Sequence, residues 1–315
     1  MDIRKKALLA ALLGNSIFGF SFLFSKIALE ITIPSVMLAI RFTTAFVVLN
    51  LIVLAGRMIK KKNGTPLIEF SLKGKPWKSI VLLAIFQPVI YFFAESNGIA
   101  LTSSAFAGTI IAVVPLVGVI FDVVIMHEKV SKKQMICSLA SIAGVVVTTI
   151  GAKGMKSSST GVLLLLIAVS SGAFFYVFSK KAGEHYNPLE RTYVMFGAAT
   201  VFFAIFAAVQ CAGDFRNMVM PALTSGQFWT AIIYLAIFAS VTAFMLLNYG
   251  NSYISVSKAS IFVNLTTVIS IIAGVVILGE SFSVQQVIGA VIIIGSVYIS
   301  SIENSKEESK NADKK

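Results

Sequence analysis

Charge is what this sequence has least of. Only 13% of its 315 residues are Asp, Glu, Lys or Arg, about half the share of a water-soluble domain. So little charge cannot cover a water-facing surface, which excludes a soluble globular protein. Histidine is nearly missing: His127 and His185 are the only two. His127-Glu128 lacks the second histidine of a zinc-binding H-E-x-x-H helix. Both cysteines, Cys137 and Cys211, stand in apolar stretches, so neither a disulfide framework nor a metal spacing is present. No Gly-x-x-x-x-Gly-Lys, G-x-G-x-x-G or G-x-S-x-G segment occurs, which argues against phosphate-loop ATP hydrolysis, dinucleotide chemistry and acyl hydrolysis. No cofactor is expected. A membrane enzyme acting on lipid-linked substrates would need acid–base or metal-binding residues converging at one membrane face, and no such cluster is visible.

In place of charge the chain has long apolar runs, with 57% hydrophobic residues and a mean hydropathy of +0.88. Ten runs stand out: 7–29, 34–56, 79–99, 103–126, 135–152, 160–179, 190–212, 228–248, 257–278 and 284–302. Each approaches the roughly 20 residues that span a bilayer as a helix. The reading is an all-α polytopic membrane protein with ten transmembrane helices. The opening Met1–Lys6 looks like the start of a signal peptide, but the apolar run continues to about Leu29 without a small-x-small cleavage site. It is therefore read as a retained first helix.

The net charge of +12 is not a nucleic-acid footprint, because the basic residues cluster in short segments between apolar runs. With a cytoplasmic N-terminus, the inside segments would hold 21 of the 26, chiefly Arg4 to Lys6, the seven between Arg57 and Lys78, and Lys129, Lys132 and Lys133. Lys180, Lys181, Arg191, Lys258 and four tail lysines complete that set, against only Lys153, Lys156 and Arg216 outside. The asymmetry places both termini in the cytoplasm. The charged segment 303–315 is expected to be a disordered cytoplasmic tail.

The sequence repeats itself. Phe24-Ser25-Lys26 recurs as Phe178-Ser179-Lys180, and at that offset Glu30 meets Glu184, Pro34 meets Pro188 and Phe42 meets Phe196. A register shorter by two residues aligns Gly98 with Gly250, Ser103 with Ser255, and Glu128, Ser131 and Gln134 with Glu280, Ser283 and Gln286. The units are 1–152 and 157–302. Five helices is an odd number, so the second unit runs through the membrane in the opposite sense. Inverted repeats of this kind are typical of alternating-access transporters, with the site near the midplane between the halves.

Several motifs together resemble the ten-helix, EamA-type members of the drug/metabolite transporter superfamily. They are Ser21 to Lys26 (Ser-Phe-x-x-Ser-Lys), Pro34 followed by Arg41-Phe42, the segment Gly98 to Ala107 then Pro115, and the joints Glu128-x-x-Ser and Gly279-Glu280-Ser281-Phe282-Ser283. The resemblance covers residues 5–302. It implies a central cavity lined by helices 1–4 and 6–9, peripheral helices 5 and 10 that could form a homodimer, a bacterial cytoplasmic membrane, and small metabolites as substrates, often exported. No Gly-x-x-x-Gly pair supports dimerisation by close glycine contact.

Ionisable residues inside a span cost about 2.5–3.5 kcal/mol each, so Lys26, Arg41, Glu95 and Asp122 each need a reason. Lys26 is read as an interfacial anchor and Asp122 as an interfacial carboxylate. Arg41 lies seven residues past Pro34, about 10 Å deep, and Glu95 lies at a similar depth. The two would form either a structural ion pair or a site in which Arg41 receives a substrate carboxylate and Glu95 an ammonium group or coupling proton. Asn15, Gln87, Tyr91, Tyr176, Tyr234, Asn248 and Asn264 are mid-span polar candidates for substrate contact or for joining helices, with Asn15 and Asn264 the preferred pair. Phe18, Phe20, Tyr91 and Phe92 are candidates to line an aromatic cavity, and Pro115 for a kink or gate in helix 4. The expectation is a secondary carrier that exports a small polar metabolite, an amino acid or related zwitterion. Its rivals are proton-coupled efflux of cationic or aromatic compounds through Glu95, and a non-transporting accessory subunit.

Overall fold

The computed structural model describes residues 3–59, 68, 70–114, 116–118, 131–151, 158–253 and 256–312. Among these there is no strand. That follows from the solvent: in lipid every backbone group must be bonded within the segment, which a helix alone achieves without a partner. The helices are α1 (Ile3–Leu29), α2 (Pro34–Met58), α3 (Trp77–Ala84), α4 (Tyr91–Ala100), α5 (Ser104–Ile111), α6 (Lys132–Gly151) and α7 (Ser159–Gly183). After them come α8 (Pro188–Gln210), α9 (Phe215–Thr224), α10 (Gly226–Ile233), α11 (Ala243–Tyr253), α12 (Val256–Ile277) and α13 (Val284–Ala312). Six helical stretches among the described residues are long and apolar enough to cross a membrane: Lys5–Leu29, Pro34–Met58, Trp77–Ala100, Ser159–Gly183, Pro188–Gln210 and Gly226–Gly250. Their outer faces carry bare aliphatic side chains, such as Leu51 at 60% and Val209 at 72% exposure, as a lipid-facing surface requires. This is a multi-pass membrane protein.

Local chemistry sets the helix starts. Pro34 and Pro188 occupy the first turns of α2 and α8, where the missing N–H has no intrahelical acceptor to lose. Asn187 and Glu190 close a reciprocal capping box on α8, and Ser103, Ser158 and Ser225 cap α5, α7 and α10. Two features depart from the hydropathy reading. Asp214 caps a further short helix, α9, in what read as a loop. The last helix continues to Ala312, through most of the stretch expected to be disordered; residues 303–312 contain neither Gly nor Pro to stop it.

The helix partnerships follow the repeat. α1 packs on α11 and α12, and in the second half α7 packs on α3, α4 and α5. Corresponding helices also meet across the halves: α2 with α8, α5 with α12, and α6 with α13. Glycine allows the closest of these approaches. A Cβ on Gly108 of α5 would stand 1.9 Å from Ser270 Oγ of α12, and one on Gly289 of α13 would stand 2.0 Å from Thr148 Oγ1 of α6.

Two helices are interrupted at matching places. Between α3 and α4 the helix is broken by a kink within Ile85–Ile90, where Gln87 is extended (φ −142°, ψ 118°) and Pro88 stands beside it. Ser171 Oγ on α7 donates to the Phe86 carbonyl there at 2.6 Å. Between α10 and α11 a π stretch covers Tyr234–Thr242. Such wide turns recur at functional sites, and the two interruptions flank the buried centre. That centre is aromatic: Phe42 lies 5.2 Å from Phe92, 5.3 Å from Phe196 and 5.6 Å from Phe203, and Phe244 meets Phe18 at 5.2 Å and Phe196 at 5.3 Å.

Candidate functional site

Starting from Pro34, two turns of α2 carry Arg41 into the aromatic centre, where it is 0% exposed. Its guanidinium lies 4.4 Å from the centroid of the Phe92 ring and 5.4 Å from that of Phe42, an arrangement the ring faces favour electrostatically. Nε donates to Ser240 Oγ at 3.0 Å. Nη1 and Nη2 find no hydrogen-bond partner among the described residues. A buried charged group with open donors is costly, so this fork is a candidate for receiving an anionic group.

Glu95 is the nearby carboxylate. It sits on α4 one turn after Tyr91, and the Tyr91 hydroxyl donates to Glu95 Oε1 at 3.0 Å. Glu95 is only 4% exposed. Arg41 and Glu95 feel one another's charge, yet no nitrogen of Arg41 lies within the 4.0 Å of a Glu95 oxygen that an ion pair needs. The ion pair anticipated as one reading is not closed. The two charges are held separately, Arg41 by Ser240 and Glu95 by Tyr91.

The other candidates fall elsewhere. Asn15 donates to the Ala11 carbonyl at 2.8 Å and accepts from Thr266 Oγ1 at 3.3 Å, so it joins α1 to α12. Tyr234 donates to the Ile17 carbonyl at 2.9 Å and stacks on Phe24. Gln87 is buried at the break before α4. Phe18 packs on Phe244, whereas Phe20 faces outward at 39% exposure. Asn248 belongs to a separate network: its Nδ2 donates to Thr192 Oγ1 at 3.1 Å and its Oδ1 accepts from Ser179 Oγ at 3.3 Å. Pro115 and Asp122, and the side chains of Tyr176 and Asn264, lie outside the described residues.

That separate network contains a residue the sequence reading does not single out. Arg191 counts among the inside charges, and it is buried, at 2% exposure. Its Nη1 donates to the Ser179 carbonyl at 3.0 Å and to Ser179 Oγ at 3.1 Å, and its Nη2 to the Asn248 carbonyl at 3.2 Å. It ties the last two turns of α7 and the middle of α11 to the start of α8. At the opposite end of the bundle Lys26 does the matching work, donating to the carbonyls of Ile99 and Thr102 at 3.2 and 2.8 Å. The carbonyls that Lys26 meets lie at and just past the C-terminal end of α4, where the helix dipole favours a cation. The available signal for Arg191 was its place one turn inside the Pro188 helix start.

Three further clamps frame the centre. Glu280 accepts from Ser104 N, Ser104 Oγ and Ala105 N at 2.8–2.9 Å, capping α5 from the link before α13. Glu190 accepts from Ser71 N and Asn187 N and pairs with Lys75, strapping the segment before α3 to the start of α8. Thr32 Oγ1 donates to the Met218 carbonyl at 3.0 Å, tying α9 to the turn between α1 and α2.

Comparison with known proteins is consistent along the whole chain. Residues 5–150 and 159–302 each match the EamA-like transporter family. A protein of Bacillus subtilis named as the uncharacterized transporter YcxC is 32% identical over 305 residues, 96% of this chain and 94% of its own length. An uncharacterized transporter of Archaeoglobus fulgidus is 21% identical over 283 residues, 89% of this chain and 93% of its own. A crystal structure with 20% sequence identity superposes with a TM-score of 0.65, covering 96% of this chain and 99% of that one, and so shares the fold. The chain belongs to the EamA-like transporter family.

Proposed function

We propose that this member of the EamA-like transporter family is a secondary carrier that moves a small polar metabolite, an amino acid or related zwitterion, out of the cell by alternating access. Its ten transmembrane helices form two inverted five-helix repeats in the cytoplasmic membrane, with both termini inside. The reciprocal helix partnerships support this, as does the distribution of basic residues.

The observation that carries the proposal is the open end of the Arg41 guanidinium, buried near a carboxylate it does not touch. A zwitterion bridges such a pair: its carboxylate meets Nη1 and Nη2, and its ammonium approaches Glu95, which Tyr91 orients. Glu95 is also placed to carry a coupling proton. Asn15 and Asn248 have their amide groups engaged in helix contacts, so the proposed site rests on Arg41, Tyr91 and Glu95.

The test is untargeted mass spectrometry of the medium from cells expressing the parent protein, Arg41→Ala or Glu95→Gln. An amino acid or similar zwitterion that accumulates only with the parent supports the proposal. Accumulation undiminished in both variants refutes the site. A cationic compound lost in Glu95→Gln but retained in Arg41→Ala favours proton-coupled efflux instead.

A further inference from the structure

Ser240 is wholly buried, and its Oγ is the one hydrogen-bond partner that the described residues offer Arg41. It lies inside the π stretch Tyr234–Thr242. In the register that aligns Gly98 with Gly250, Ser240 corresponds to Pro88, which lies inside the kinked stretch Ile85–Ile90. Both repeats therefore interrupt the same helix at the same place, the first by a kink and the second by a π stretch. Only the second places a hydroxyl there, since proline offers no side-chain acceptor. The widened turn is visible in its bonding: Thr242 Oγ1 donates to the Ile237 carbonyl, five residues back, at 3.0 Å.

A guanidinium has two edges that can meet a carboxylate, one through Nε and an Nη and one through both Nη nitrogens. Ser240 occupies Nε, and the Phe92 ring covers one face at 4.4 Å. The Nη1–Nη2 edge is left, in one fixed orientation. We propose that Ser240 is a positioning residue: by holding Arg41 Nε it aims that edge at the substrate carboxylate, so that the carrier selects an amino acid over its carboxyl-blocked amide. This rests on the reading of Arg41 as the substrate-binding arginine. It assigns the selectivity for a carboxylate to a residue on the opposite repeat.

The test uses the full-length protein in proteoliposomes, with an isotope-labelled mixture of the twenty standard amino acids as probe and their amides as competitors. Ser240→Ala raises KM for the transported amino acid at least about tenfold, the lower end of the weight of one hydrogen bond to a charged group. It also narrows the preference for acid over amide, while the maximal rate stays within about twofold, since holding Nε affects binding and not the moving parts. Ser240→Thr, which keeps the hydroxyl, restores both. Should Ser240→Ala not fold, Ser240→Cys keeps the volume with a weaker acceptor and carries the same expectation. Unchanged KM and preference in Ser240→Ala, beside an inactive Arg41→Ala, overturns the role of Ser240 alone. A lower maximal rate for acids and amides alike marks Ser240 as structural and also overturns it. Parent-like kinetics in Arg41→Ala overturns the underlying site, and a parent protein that moves no amino acid overturns the substrate class together with this role.

Discussion

Two buried arginines with opposite bonding give a stability experiment that separates site from scaffold. Placing an arginine at membrane depth costs about 2.5–3.5 kcal/mol on insertion scales. Arg41 recovers this through a single hydrogen bond, to Ser240, worth about 1.5–3 kcal/mol to a charged group. Its contact with the Phe92 face adds about 0.5–2 kcal/mol. These terms nearly cancel, so Arg41→Met, similar in length and apolar, is expected to change stability by less than about 1 kcal/mol or to raise it. The abandoned Ser240 hydroxyl can turn to a carbonyl of its own helix. Arg191, one turn inside the start of α8, bears a smaller insertion cost and makes at least three hydrogen bonds, at 3.0, 3.1 and 3.2 Å. Arg191→Met is therefore expected to lose about 2–5 kcal/mol, at roughly 1.5–3 kcal/mol per bond. Thermal unfolding of the purified proteins in one detergent, followed by tryptophan fluorescence, measures both variants, and export by the same cells measures function. The expected pattern is a normal melting midpoint with lost transport for Arg41→Met, and a lowered midpoint for Arg191→Met. A midpoint for Arg41→Met that falls as far as that of Arg191→Met would make Arg41 a structural strut and refute the reasoning.

Three smaller predictions follow from the clamps and the close contacts. Glu280→Ala removes the acceptor for two backbone N–H groups and a hydroxyl at the start of α5, and is expected to cost about 1–2 kcal/mol by thermal unfolding, with Glu280→Gln intermediate. Lys75→Ala is expected to cost less than about 1 kcal/mol, because Lys75 is partly exposed and Glu190 keeps the Ser71 and Asn187 N–H groups. Glu190→Ala, which loses all three, should cost more, and equal midpoints would contradict this. Gly108→Ala drives a Cβ against Ser270 and should destabilise by about 1–3 kcal/mol. Ser270→Gly should restore the midpoint in the double variant, and failure to do so would remove that contact as the cause.

Hydropathy reads helix existence well because lipid leaves the backbone no alternative. It located α2 from Pro34 and α8 within two residues of Pro188 for that reason. It reads faces and neighbours poorly. Asn15 is chosen by depth as a candidate contact, but depth does not say which side of a helix meets which, and its side chain accepts from Thr266 of α12. Arg191 counts with the inside segments, and charge counting does not say whether such a cation is solvated or, as here, held by the carbonyls of Ser179 and Asn248. The depth argument did single out Arg41 and Glu95, since a charge far from both surfaces has few bland explanations. It could not show that the two charges are held apart, nor that a serine secures the arginine. Ser240 stands in an unremarkable run, Tyr-Leu-Ala-Ile-Phe-Ala-Ser-Val-Thr. What gives it significance is a widened turn of helix, and unlike the break at Pro88, that turn leaves no proline in the sequence to announce it. The proposed site lies where the repeats differ, so internal symmetry points to its helices and not to Ser240, the side chain that holds Arg41.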